Sequence, residues 1–158
     1  MVNIINEILT KLSIRTIDYF KNDLDMSEIN NSFVVKSVDS INYLEITSMI
    51  SLSKDIKGTI AMSVSSALAK EMVSKFIYGD VSNEIIEQLT NETVSEVLNV
   101  TLGNILQDID IIKNGGKVEI STPLIKIFKT TLQNDSYSLL FSSNLKYKNE
   151  IIKLSYFI

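Results

Sequence analysis

Between Val2 and Lys21, Ile4, Ile5, Ile8, Leu9, Leu12, Ile17 and Phe20 recur at steps of mostly three and four residues. That period predicts an amphipathic helix. After a polar connection, Phe33 to Val38 and Tyr43 to Leu52 are rich in Val, Ile, Thr and aromatic residues, the composition of strands. Lys54 to Gly58 supplies a tight turn, and Ile60, Met62 and Val64 then alternate with Thr59, Ala61 and Ser63, a half-buried strand. Ser65 or Ser66 caps a second helix carrying Leu68, Met72, Val73, Phe76 and Ile77 and ending at Tyr78-Gly79. Ser82 caps a long helix predicted to run to about Asp108, and Asn114-Gly115-Gly116 breaks the chain. Val118 to Ile120, Leu124 to Leu132, Tyr137 to Tyr147 and Ile151 to Phe157 read as strands, with turns near 133–136 and 148–150. Pro123, the single proline, falls between two of them and marks an edge or a bend.

Helices set beside runs of antiparallel strands predict an α+β fold, a mostly antiparallel sheet with two long helices on one face. Each half of the chain repeats the order helix then strands, without a repeat in residue identity. No linker or low-complexity tract divides residues 1–158, so a single domain is expected.

Composition narrows the chemistry. There is no Cys and no His, which removes Cys/His zinc sites, thiol nucleophiles and Ser-His-Asp triads. A formal net charge of -4 argues against a nucleic-acid partner, which would require a basic face. No apolar run reaches the ~20 residues that cross a bilayer. Asn3, Asn6 and Glu7 stand where an apolar signal core would be. A cytosolic location without membrane insertion is expected. The sequons at Asn91 and Asn99 are read as chance.

The long helix carries the one candidate site. At ~100° per residue, Glu92, Glu96, Asn99 and Gly103 fall within roughly 60° of one another. Thr90, Val94, Val97, Leu98, Thr101 and Ile105 occupy the opposite side. A carboxylate and a carboxamide one turn apart thus project from the core beside a residue without a side chain. Gly103 costs about 1 kcal/mol relative to Ala inside a helix, and close approach of another backbone would compensate. The spacing Glu-x-x-Asn also occurs at Glu28 and Asn31, in the polar connection, where such residues are ordinary loop formers.

Glu96-x-x-Asn99-x-Thr101-x-Gly103, followed at a distance by Ile120-Ser121-Thr122-Pro123, resembles the signature of the CheC/CheX/FliY chemotaxis phosphatases. That signature is Ser or Asp, three residues, Glu, two residues, Asn and, beyond a longer gap, Pro. Gly58-Thr59-Ile60 leading into a strand, the helix end at Tyr78-Gly79 and the order of elements support the resemblance over nearly the whole chain. Glu92 stands where the pattern has Ser or Asp, and the gap to Pro123 is slightly longer. One copy of the motif in a helix is similar to the single-site CheX subgroup and unlike two-site CheC.

The resemblance implies a phosphatase that docks on a phosphorylated CheY-type receiver and accelerates hydrolysis of its aspartyl phosphate. Asn99 would orient the attacking water and Glu96 would pair with the receiver's active-site lysine. Glu92 and Gly103 would be partner-contact positions at most, and Pro123 structural. No cofactor or metal is expected on this chain, with Mg²⁺ held by the receiver. A homodimer through edge strands is implied as well. The alternatives left open are a non-catalytic module that binds a receiver or a flagellar-switch component, a site elsewhere such as the turn at Asp55 to Gly58, and a purely structural dimer domain.

Overall fold

A computed structural model of the chain describes residues 1–77, 79–136 and 139–158, with the backbone but not the side chain of residue 136. The predicted helix end at Tyr78 and the predicted strand start at Tyr137 lie outside the described residues. Helix α1 (Val2–Asp18) continues into a π-helical turn at Tyr19–Asp23. Strands β1 (Val35–Ser37), β2 (Ser40–Tyr43), β3 (Ile46–Lys54) and β4 (Gly58–Val64) follow. Helix α2 (Ser66–Phe76), the long α3 (Asn83–Leu106) and a single turn, α4 (Asp110–Lys113), come next. The chain then forms β5 (Val118–Ile120), β6 (Leu124–Lys126), β7 (Thr130–Gln133), β8 (Leu140–Tyr147) and β9 (Glu150–Phe157).

Seven strands make one antiparallel sheet in the order β1-β8-β9-β4-β3-β5, with β6 also paired to β3. The strand period of two divides its faces. Ile50, Ile60, Met62, Leu145, Ile152 and Leu154 join Ile5, Ile8, Leu9 and Leu12 of α1 and Val94, Val97, Leu98 and Leu102 of α3 in the main core. Both long helices therefore lie on one face of the sheet, as expected. Met49, Ala61, Leu140 and Phe157 face the other way, where Ile41 and Tyr43 cover them. That cover is a separate two-stranded sheet of β2 and β7.

Two predicted strands are each divided by this arrangement. Tyr43 to Leu52 separates into β2 and β3, and Leu124 to Leu132 into β6 and β7. At the first break the Leu44 amide leaves the ladder and donates to Ser63 Oγ at 2.8 Å, while the Tyr43 side chain turns to the far face, its hydroxyl 2.8 Å from Ser155 Oγ. Strand propensity is continuous across both breaks, because it reflects fit to a pleated surface and not the identity of the neighbouring strand. The predicted long helix likewise stops at Leu106, and the chain turns so that the Asp110 amide donates to Glu7 Oε1 at 3.0 Å.

Helix-to-sheet seams use small hydroxyl pairs. Ser13 of α1 meets Ser143 of β8 at 2.8 Å, and Ser95 of α3 meets Ser48 of β3 at 3.0 Å, all four buried. A buried hydroxyl left unpaired would cost about 1–3 kcal/mol, so each pair fixes where its helix sits along the strand.

Candidate functional site

The position of α3 follows from local chemistry. Ser82 Oγ accepts from the Ile85 amide at 3.4 Å and starts the helix. Thr90 and Thr101, on the buried side, satisfy their hydroxyls on the Ile86 and Val97 carbonyls, each at 2.7 Å. Val94, Val97, Leu98 and Leu102 are fully buried. With that side committed to the sheet, the opposite stripe must face outward.

Glu92, Glu96 and Gly103 are exposed and Asn99 is half-buried. Among the described residues, neither the Glu96 carboxylate nor the Asn99 amide has a hydrogen bond or an ion pair. A Cβ added at Gly103 would meet nothing within 4 Å. Among the described residues no packing requires glycine there, so none of them compensates its cost in helix stability.

The second Glu-x-x-Asn is differently placed. Glu28 pairs with Lys148 at 3.2 Å, and Asn31 Oδ1 accepts from Lys21 Nζ. Lys148 also reaches Glu71 at 3.2 Å, where the Tyr147 hydroxyl donates at 2.6 Å. The Tyr147 hydrogen bond and the Lys148 ammonium hold the Glu71 carboxyl below its ordinary value. Spacing alone does not separate the two motifs, whereas their bonding does.

Helix α1 flanks the site. Lys11 Nζ donates to the Asp108 carbonyl near one end of α3. Tyr19 lies near Glu96, so the two helices run antiparallel. Burial raises the Tyr19 hydroxyl pKa, and the Asp23 and Glu96 carboxylates add to the shift. Arg15 stands 5.7 Å from the Tyr19 ring centre and pairs with Asp18 at 2.5 Å and Asp23 at 3.7 Å. The guanidinium is thereby held by its own helix and turn. Neither the π-helical turn nor Tyr19 stands out in the sequence, since a π-turn has no local sequence signal comparable to a cap.

Pro123 belongs to the sheet edge and not to the stripe. It separates β5, which pairs with Leu52 to Lys54, from β6, which pairs with Thr47 to Met49. Just before it, Ser121 closes on Ser51, its amide donating to the Ser51 carbonyl at 2.9 Å. A residue without an N–H fits the bend between two edge segments. Among the described residues there is no cluster of three acidic side chains that could hold a metal ion. No helix there is long and apolar enough to cross a membrane.

Residues 46–139 match the family model of the chemotaxis phosphatase CheX. No individual curated protein sequence matches the chain. Among solved structures, CheX from Vibrio vulnificus superposes with a TM-score of 0.72 at 14% identity, covering 98% of each chain. CheX from Desulfovibrio desulfuricans gives a TM-score of 0.71 at 16% identity, over 95% of this chain and 97% of that one. A CheX-CheY-BeF3-Mg²⁺ complex from Borrelia burgdorferi gives 0.63 at 17% identity, over 94% and 96%. At these identities the superpositions establish the shared fold, and the family model, spanning more than half of the sequence, establishes kinship. This chain belongs to the CheX family of chemotaxis phosphatases.

Proposed function

We propose that the protein docks on a phosphorylated CheY-type receiver and accelerates hydrolysis of its aspartyl phosphate. The observation that carries this reading is the outward Glu96 and Asn99, one turn apart and unbonded among the described residues. Family membership, and the fold shared with the Borrelia CheX that was solved together with CheY, support the choice of partner.

An acyl phosphate is already activated, so the chain need contribute neither nucleophile nor base. Water attacks phosphorus, the bond from phosphorus to the aspartyl oxygen breaks, and inorganic phosphate leaves. Asn99 accepts a hydrogen bond from that water through its amide oxygen and sets it in line, without a charge that would repel the phosphoryl oxygens. Orientation of this kind is the main contribution available. Glu96 pairs with the receiver's active-site lysine and anchors α3 over the phosphate. Gly103 lets the receiver backbone approach the same stripe. In this reading Mg²⁺ belongs to the receiver's own carboxylates, as the family resemblance implies.

The test is loss of phosphate from a phosphorylated receiver with and without the protein. Wild type is expected to speed it, and Glu96→Ala to raise KM about tenfold, about 1.4 kcal/mol, while also lowering the rate. Tight binding without faster phosphate loss would instead support the non-catalytic module, a reading that Glu92 in place of Ser or Asp keeps open.

We further propose a homodimer through the β5–β6 edge. Ile120, Leu124, Ile127 and Phe128 are 41–66% exposed there, beside strands that pair on one side only among the described residues. An exposed apolar edge is a template for pairing with a second copy. Phe128→Lys is expected to shift the protein from dimer to monomer in sedimentation at micromolar concentration. An unchanged sedimentation coefficient would exclude that edge.

A further inference from the structure

The outward stripe of α3 continues beyond Glu92. Ile85, Gln88 and Leu89 extend it toward the helix N-terminus at the same spacing, and Ile85 and Leu89 add apolar surface to it. Ile85 is 45% exposed, and Phe76 at the end of α2 is 43% exposed. Between the two helices lies a cleft of about 390 Å³ lined by the apolar Val73, Phe76, Ile77 and Leu89 together with Glu92, Thr93 and Glu96. Lys70 of α2, which reaches across to α3, is paired with Glu87 at 3.6 Å. Among the described residues, Glu92 has no ion pair.

An apolar bed that also carries unpaired carboxylates suits a long cationic side chain. Its methylene stem can lie on the ring of Phe76 and on Leu89 while its head group reaches the acid. A purely apolar occupant would desolvate Glu92 with nothing to pair it, and an anionic one would meet two like charges. We propose that this cleft receives a surface lysine or arginine of the phosphorylated receiver, one other than the active-site lysine assigned to Glu96. Glu92 is its ion partner and Phe76 with Leu89 its apolar bed. This inference rests on the receiver-docking reading above, and it makes the departure at Glu92 a determinant of which receiver is accepted.

The experiment is a titration of wild type, Glu92→Gln, Glu92→Asp, Phe76→Ala and Asn99→Ala with a CheY-type receiver loaded with beryllofluoride and Mg²⁺, alongside phosphate release from the phosphorylated receiver. Glu92→Gln and Phe76→Ala are each expected to weaken binding about five- to tenfold, with the loss in turnover carried by KM and not by kcat. Added salt should weaken wild type more than Glu92→Gln, and Glu92→Asp should recover most of the lost affinity. Wild-type affinity in both Glu92→Gln and Phe76→Ala, with Asn99→Ala still defective in turnover, would overturn the cleft assignment alone. A wild-type protein that neither binds the loaded receiver nor speeds phosphate loss would overturn the docking reading together with it.

Discussion

Replacing Asn99 by alanine is expected to remove most of the accelerated dephosphorylation and leave receiver binding within about twofold. A ~10²-fold loss corresponds to ~2.7 kcal/mol of transition-state stabilisation. The amide is half-buried and makes no hydrogen bond among the described residues, so its removal leaves no stranded partner inside the fold. Alanine also favours helix more than asparagine does, and the unfolding midpoint should not fall. The check is phosphate release together with equilibrium binding of the two proteins. Unchanged turnover in Asn99→Ala would defeat the assignment of the water-orienting role. Because orientation does not require a charged group, Asn99→Asp is no rescue: it places an anion beside the phosphoryl oxygens.

Gly58→Ala is expected to cost about 3 kcal/mol of stability, combining strained backbone with overpacking. Gly58 opens β4 at φ +142°, and a Cβ there would stand 2.6 Å from the Tyr156 ring. That ring has little freedom to retreat. Tyr156 is 2% exposed, and its hydroxyl donates to the Lys57 carbonyl at 2.5 Å. Burial pushes that hydroxyl's pKa up to about 12, so it remains a donor across the working pH range. For a chain of this length the thermal midpoint should fall by about 6–12 °C, read by circular dichroism. Phosphate release per folded molecule should persist, since β4 packs beneath α3 and does not touch the outward stripe. A midpoint unchanged by Gly58→Ala would show that the strand can open at this point without cost.

Of the fold, the periodic elements are legible in the sequence. The first helix, the β4 alternation and the long amphipathic helix each follow from apolar spacing, and the caps at Ser65 and Ser82 accept the expected amides. What is not legible is pairing. Tyr43 and Ile46 lie three residues apart in one apolar-rich run and enter different sheets. Leu124 and Leu132 do likewise, because a strand's composition records that it is covered and not by which neighbour.

The candidate site divides in the same way. The local sequence alone determined that Glu92, Glu96, Asn99 and Gly103 share one stripe, since helical geometry sets that angle whatever surrounds the helix. It also determined that no thiol or imidazole chemistry is available. The apolar side opposite pointed the stripe outward, and tertiary packing holds it there, through the burial of Val94, Val97 and Leu98 against the sheet and the Ser48–Ser95 seam. Packing decided that the identical spacing at Glu28 and Asn31 is occupied, by Lys148 and Lys21, the first of these brought up from the far end of the sequence. A motif's spacing is a short-range property of the chain. Whether its side chains stay free depends on which distant cations the fold delivers to them.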